Sequence, residues 1–140
     1  MKLRIIALFI IVILIIPMLS CFVTSHDTYV EISCDDFTEN PTSMRNDFEI
    51  EIGDKLYVKL CSNPTTGFQW EYKISKENVL KEEDHDFEEP GGDVLGAAGI
   101  EVWTFEAVEK GMTEVRMEYS QPWEGGLKAE WTYTMTVTIK

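Results

Sequence analysis

The sequence is poor in the residues that most often carry chemistry. Two histidines and three cysteines stand among 140 residues. His26 lies close to the start and His85 sits inside an acidic run. Neither has a sequence partner for a Cys/His or Ser/His/Asp arrangement. A glycine-rich phosphate loop is missing, and so is the Cys/His spacing of a metal centre. These absences argue against an enzyme, and no cofactor is expected. Positive charge is scarce as well: 12 Lys and Arg against 25 Asp and Glu give a formal net charge of −13. Such a chain repels polyphosphate, which excludes nucleic acid as an electrostatic partner. The run Glu82-Glu83-Asp84-His85-Asp86 with Glu88-Glu89 offers oxygens to a calcium ion. It lacks the spacing and the glycine of a dedicated calcium loop, so it reads as a solvated charge run and no metal is expected.

Long apolar runs are confined to the N-terminus. Lys2 and Arg4 precede twelve unbroken apolar residues, Ile5 to Ile16, and then Pro17-Met18-Leu19-Ser20-Cys21. Basic start, apolar centre and small residue are the layout of a signal peptide over residues 1–20. The run is short for a membrane span, which needs roughly 20 residues. Pro17-Met18-Leu19 lengthens it, so retention as an anchor over residues 5–19 is the alternative. Cys21 after a small residue resembles a bacterial-type lipoprotein signal and is the lipidation candidate. Leu19 and Met18 depart from that pattern, and plain cleavage nearby is the competing reading. Each version exports the protein to a cell surface, a periplasm or the medium, with membrane contact only through the N-terminus. Removing residues 1–20 takes away two positive charges and moves the net charge to −15.

Beyond Cys21 the chain carries a β pattern. Tyr29 to Cys34 alternates weakly, and Asn40-Pro41-Thr42-Ser43 is a turn. Phe48, Ile50 and Ile52 alternate with acidic residues, and Leu56, Val58 and Leu60 with Tyr57 and Lys59. Phe68, Trp70 and Tyr72 share a face; Ile100 to Phe105 carries large residues on both. Val115, Met117 and Tyr119 alternate with Glu114, Arg116 and Glu118. Trp131, Tyr133, Met135, Val137 and Ile139 oppose four threonines at 132, 134, 136 and 138. Period-2 alternation with frequent turns predicts an all-β, half-buried antiparallel sandwich or barrel. Only Ser75 to Lys81 has weak helical character. The expected organisation is one monomeric domain over about 27–140, with residues 21–46 holding the first strand and 47–140 the remainder. In an exported protein Cys34 and Cys61 could pair. Alternation puts Cys61 on the outer face of its strand and Cys34 on an inward one, so pairing requires Cys34 to lie past its strand end.

Three loops stand out. Asn63-Pro64-Thr65-Thr66-Gly67 is a stiff, uncharged turn: proline fixes φ, glycine allows a positive φ, and the threonine hydroxyls can bond the loop itself or a partner. The second loop runs from Pro90-Gly91-Gly92 to Gly96-Ala97-Ala98-Gly99, with little side-chain bulk to keep a partner away. The third, Gln121-Pro122-Trp123-Glu124-Gly125-Gly126, lifts a tryptophan onto a loop tip.

In order and spacing these loops resemble the chagasin family of cysteine-peptidase inhibitors, whose signatures are N-P-T-T-G, G-x-G-G and R-P-W. The similarity runs from about Phe48 to Lys140. The first motif matches at all five positions; Ala98 replaces a glycine in the second and Gln121 the arginine in the third. The resemblance implies an immunoglobulin-like β-sandwich that blocks papain-like (clan CA) cysteine peptidases by tight, reversible, non-covalent binding. It puts the three loops side by side at one end of the sandwich. Asn63, Pro64, Thr65, Thr66 and Gly67 would enter the cleft, the threonines nearest the catalytic Cys/His pair. Gly96, Ala97, Ala98 and Gly99 would line one wall, and Trp123, after Gln121 and Pro122, would pack on an aromatic surface of the primed side. Ala98 is expected to strain its loop if it needs a positive φ, and Gln121 to lose a charge-assisted donor. Phe68, Trp70, Trp103 and Trp131 are expected in the core. The rival readings are an exported immunoglobulin-like adhesion module without a peptidase target, and a glycan-binding surface protein that uses Trp123.

Overall fold

The computed structural model describes residues 26–39, 42–92 and 95–140. The expectations for residues 1–20, for Cys21, for Asn40 and Pro41 in the first turn, and for Asp93 and Val94 in the second loop lie outside these residues. Among these residues eight strands and one short helix are arranged in the order β1 (Thr28–Ile32), α1 (Cys34–Glu39), β2 (Ser43–Ile50), β3 (Lys55–Ser62), β4 (Gln69–Ile74), β5 (Leu80–Glu88), β6 (Gly99–Ala107), β7 (Gly111–Ser120) and β8 (Trp131–Ile139). A single 3-10 turn, Pro64–Thr66, joins β3 to β4.

The strands form two four-stranded sheets, β1-β3-β6-β5 and β2-β8-β7-β4. Their inward faces supply one core. Leu56, Val58 and Leu60 of β3 and Tyr133, Met135 and Val137 of β8 lie in one cluster, all fully buried. This is the all-β sandwich that the alternation predicts. The interior pairings β3–β6 and β7–β8 are antiparallel, but the edge strands β1 and β2 pair in parallel with β3 and β8. Side-chain alternation has the same period in either direction, so it carries no sign of this.

Other expectations are corrected. Ile52 falls in the turn after β2 and is 44% exposed rather than inward-facing. Leu80 and Lys81, expected in a weakly helical stretch, begin β5. The acidic run is solvated as expected, with Glu83 to Asp86, Glu88 and Glu89 exposed, but it is also a strand: Glu82 to Glu88 pair with β6 through a bulge between Glu82 and Asp84. That bulge lets Glu82 and His85 both turn toward the sandwich. Tyr72 donates to Glu82, and the His85 ring stacks on Trp103 with centroids 4.5 Å apart. Burial first, and then the Glu82 contact, push the Tyr72 phenol up to about 12. Among the described residues no three His, Cys, Asp or Glu side chains gather as a metal ion would require.

Helix α1 has no counterpart in the sequence pattern. Ser33 caps it, its hydroxyl accepting from the Asp36 N–H at 3.3 Å, and the Asp36 carboxylate accepts in return from the Ser33 backbone N–H at 2.8 Å and hydroxyl at 2.7 Å. Phe37 then stacks on Trp131 at 4.6 Å. The helix carries Cys34 past the end of β1, and a disulfide joins it to Cys61 with a Cα–Cα distance of 5.1 Å. Cys61 does face away from Leu60, but α1 packs over that part of β3 and buries it. The outer face expected for Cys61 is therefore covered.

Candidate functional site: three loops at one end of the sandwich

The first loop, between β3 and β4, is held by its own asparagine. Asn63 Oδ1 accepts from the Thr65 backbone N–H at 3.2 Å and from the Thr65 hydroxyl at 2.6 Å. The Thr66 hydroxyl donates to the Asn63 carbonyl at 2.6 Å. Backbone bonds Thr66 N to Asn63 O and Gly67 N to Pro64 O close the 3-10 turn at 3.1 and 3.0 Å. Gly67 ends it in the left-handed region, φ +79°. Both threonine hydroxyls thus spend their protons inside the loop. They present oxygen lone pairs and methyl groups outward, and Pro64, Thr65 and Thr66 are exposed.

The loop is also tied to the body and to its neighbours. The Asn63 backbone N–H donates to the Tyr119 hydroxyl at 2.8 Å, which anchors the turn on β7. Asn63 Nδ2 donates to the Gly96 carbonyl at 2.9 Å, which fastens the second loop to the first. Gly96 has φ +75°, and a methyl group there would meet Thr65 Oγ1 at 3.9 Å. On the other side the Trp123 indole lies against Gly67: a Cβ at residue 67 would fall 2.5 Å from its Cη2. One asparagine and one glycine therefore join three loops that are far apart in sequence.

In the second loop Ala97 and Ala98 are half-buried. Ala98 is not among the residues with positive φ; Ala129 is the one described non-glycine there. The strain considered for Ala98 does not arise. Gly99 differs from its neighbours because it is buried at the start of β6. A Cβ there would lie 2.5 Å from both the Glu88 carbonyl oxygen and the Phe87 ring. Its close approach is to β5, inside the protein.

In the third loop Gln121 is turned inward. Its Oε1 accepts from the Leu127 N–H at 3.0 Å, while its own N–H donates to the Leu127 carbonyl at 2.8 Å. The ammonium of Lys128 reaches the carbonyls of Gln121 and Trp123, the latter at 3.3 Å. A positive charge thus stands at the base of this loop although residue 121 is uncharged. Lys128 and Leu127 carry no signal in the sequence because they lie beyond the recognisable motif. Trp123 is 50% exposed: the far end of its indole packs on Gly67 and its Nε1 lies against Gly126. Trp70 and Trp103 are buried, and Phe68 and Trp131 pack against the core, as expected. Trp70 Nε1 donates to the Cys61 carbonyl at 2.9 Å, just before the first loop.

Among its described residues the site holds no nucleophile beside a base. It is a preformed edge of one uncharged turn, a small-residue strip and an aromatic tip. Residues 49–137 match the family model described as Chagasin family peptidase inhibitor I42. Amoebiasin-2 of Entamoeba histolytica is 29% identical over 97 residues, covering 65% of this chain and 75% of that protein. Chagasin of Trypanosoma cruzi is 30% identical over 80 residues, 54% of this chain and 73% of that one. The solved structure of the cysteine protease inhibitor EhICP2 from Entamoeba histolytica superposes with a TM-score of 0.66 at 18% identity, covering 84% of this chain and all of that one. PbICP-C, solved in complex with falcipain-2, gives a TM-score of 0.54 at 10% identity over 81% of this chain and 97% of its own. These two likenesses concern the fold, whereas the family model spans more than half of the chain and includes all three loops. The chain belongs to the chagasin family of peptidase inhibitors.

Proposed function

We propose that this protein is a reversible, non-covalent inhibitor of papain-like cysteine peptidases that occludes the active-site cleft with its three loops. The observation that carries the reading is the mutual bracing of the loops through Asn63–Gly96 and Gly67–Trp123. A wedge that is already ordered loses little conformational entropy on binding, so more of the contact energy appears as affinity. The Asn63–Gly67 turn is the part that enters the cleft. Thr65 and Thr66 offer acceptors and methyls to the catalytic Cys/His pair. Gly96, Ala97 and Ala98 run along one wall. Trp123, half-exposed on a short rigid loop, is the hot-spot candidate on the primed side.

Family membership and the complex of PbICP-C with falcipain-2 support this choice of partner. The domain acts as a monomer, with no enzymatic activity of its own. Export by residues 1–20, with attachment at Cys21 or by residues 5–19, would put it where it meets such peptidases. The Cys34–Cys61 disulfide is in keeping with an oxidising compartment. The test is a titration of papain-like and cathepsin-L-like activity with the purified domain, followed by dilution. Inhibition with full recovery of activity is expected; no inhibition at micromolar concentration would sink the proposal.

A further inference from the structure

Beside the exposed tips lies a hollow that the wedge picture does not use. A cavity of about 380 Å³ opens between the loops. Each loop region contributes to its mouth: Thr66 from the first, Ala98 from the second and Leu127 from the end of the third. Thr66 and Leu127 are exposed, Leu127 at 59% despite being wholly apolar. The deeper lining is buried and includes Tyr119 and the Cys61 end of the disulfide. Glu130 is the one charged residue among the described lining residues.

We infer that this cavity is a receptor site for an apolar side chain of the bound peptidase, with Ala98 and Leu127 as specificity-determining residues. The inference rests on the peptidase reading of the three loops. Its warrant is continuity: the mouth is made of the same loops, so a partner seated on them covers it. Covering Leu127 without filling the hollow would leave apolar wall without contact, whereas an inserted apolar side chain gains both burial and dispersion contacts. Glu130 disfavours an acidic occupant. Insertion is thereby reciprocal, the first loop entering the peptidase and a peptidase side chain entering the inhibitor. Ala98, a departure from the family's glycine, sets the width of the mouth. Peptidases that differ at the inserted position are distinguished here rather than at the first loop.

The test compares the wild type with Leu127→Asp and Ala98→Phe against papain-like peptidases that the wild type inhibits. Each change is expected to raise the inhibition constant tenfold or more. The unfolding midpoint should barely move for Leu127→Asp, because that side chain is exposed. In the wild-type complex, isotope-filtered NMR is expected to show contacts from the Leu127 and Ala98 methyls to an apolar peptidase side chain. Unchanged inhibition constants for both variants, or no such contacts in a formed complex, would overturn this inference and leave the wedge intact. Failure of the wild type to inhibit any such peptidase would remove both.

Discussion

The indole of Trp123 rests on Gly67, so close that a single added methyl at residue 67 would reach within 2.5 Å of Cη2. Residue 67 also has φ +79°, a conformation that costs an L-residue about 1–2 kcal/mol. Gly67→Ala therefore damages two loops at once. It is expected to destabilise the fold by about 1–2 kcal/mol and to weaken inhibition by more than Trp123→Ala alone. Denaturant unfolding and inhibition constants measured on both variants check this. Equal inhibition by Gly67→Ala and wild type would show that the indole is free of the first loop.

Asn63 has two separable tasks. Its Oδ1 caps the turn, and its Nδ2 holds Gly96 at 2.9 Å. Asn63→Asp keeps the capping oxygen and sets a carboxylate against the Gly96 carbonyl. The expected result is a roughly tenfold weaker inhibition, equivalent to about 1.4 kcal/mol, with a nearly unchanged unfolding midpoint. Hydrogen exchange should speed up in residues 95–98 and not in 63–67. Faster exchange in the first loop instead would contradict this division.

The disulfide fastens α1 beneath the first loop, since Cys61 is two residues before Asn63. It spans 27 residues, and closing a loop of that length is worth about 3.5 kcal/mol on a chain-entropy estimate. The double variant Cys34→Ser/Cys61→Ser should lose roughly 10–20 °C in melting temperature. Incubation with a thiol reductant before assay should weaken inhibition, whereas a complex formed first should resist reduction because the peptidase covers the cavity that reaches Cys61. Equal reduction rates for free and bound protein would count against that geometry.

Acid should loosen the opposite end. The Asp54 carboxylate accepts from the backbone N–H groups of Glu51 at 2.9 Å and His26 at 2.8 Å. These bonds, the Glu51 one first, hold its pKa below the ordinary 3.8. A depressed folded pKa contributes stability that is full above the unfolded value and is lost as pH falls through the folded one. Melting temperature followed between pH 2 and 7 should fall less steeply below about pH 4 for Asp54→Asn than for wild type. Parallel curves would show that Asp54 adds no acid sensitivity.

Some of this was legible in residues alone and some was not. Strand β8 is plain because its five inward residues alternate with four threonines without interruption. The first loop is plain because proline, glycine and asparagine each state a backbone requirement. Strand β5 is hidden because its apolar content is two residues, Leu80 and Phe87. It is held from outside, by the β6 ladder, the Lys55–Glu83 and Lys59–Glu88 ion pairs at 2.7 Å each, and the Trp103 stack under His85. The Cys34–Cys61 link depends on α1, six residues whose helicity comes from the Ser33–Asp36 capping pair and from Phe37 packing rather than from periodicity. The cavity between the loops is invisible for a similar reason. Its walls come from residues that touch only in the folded chain, and Leu127 lies just outside any motif.

Inhibition by occlusion requires the loop end to cover the peptidase's catalytic pair. That is read from the rate at which a small alkylating reagent modifies the catalytic thiol of a papain-like peptidase in the presence of excess inhibitor domain. Alkylation is expected to be suppressed in proportion to the fraction bound and to recover with Thr66→Arg, whose bulk cannot enter the cleft. Alkylation at the free-enzyme rate with micromolar wild-type domain present would contradict occlusion.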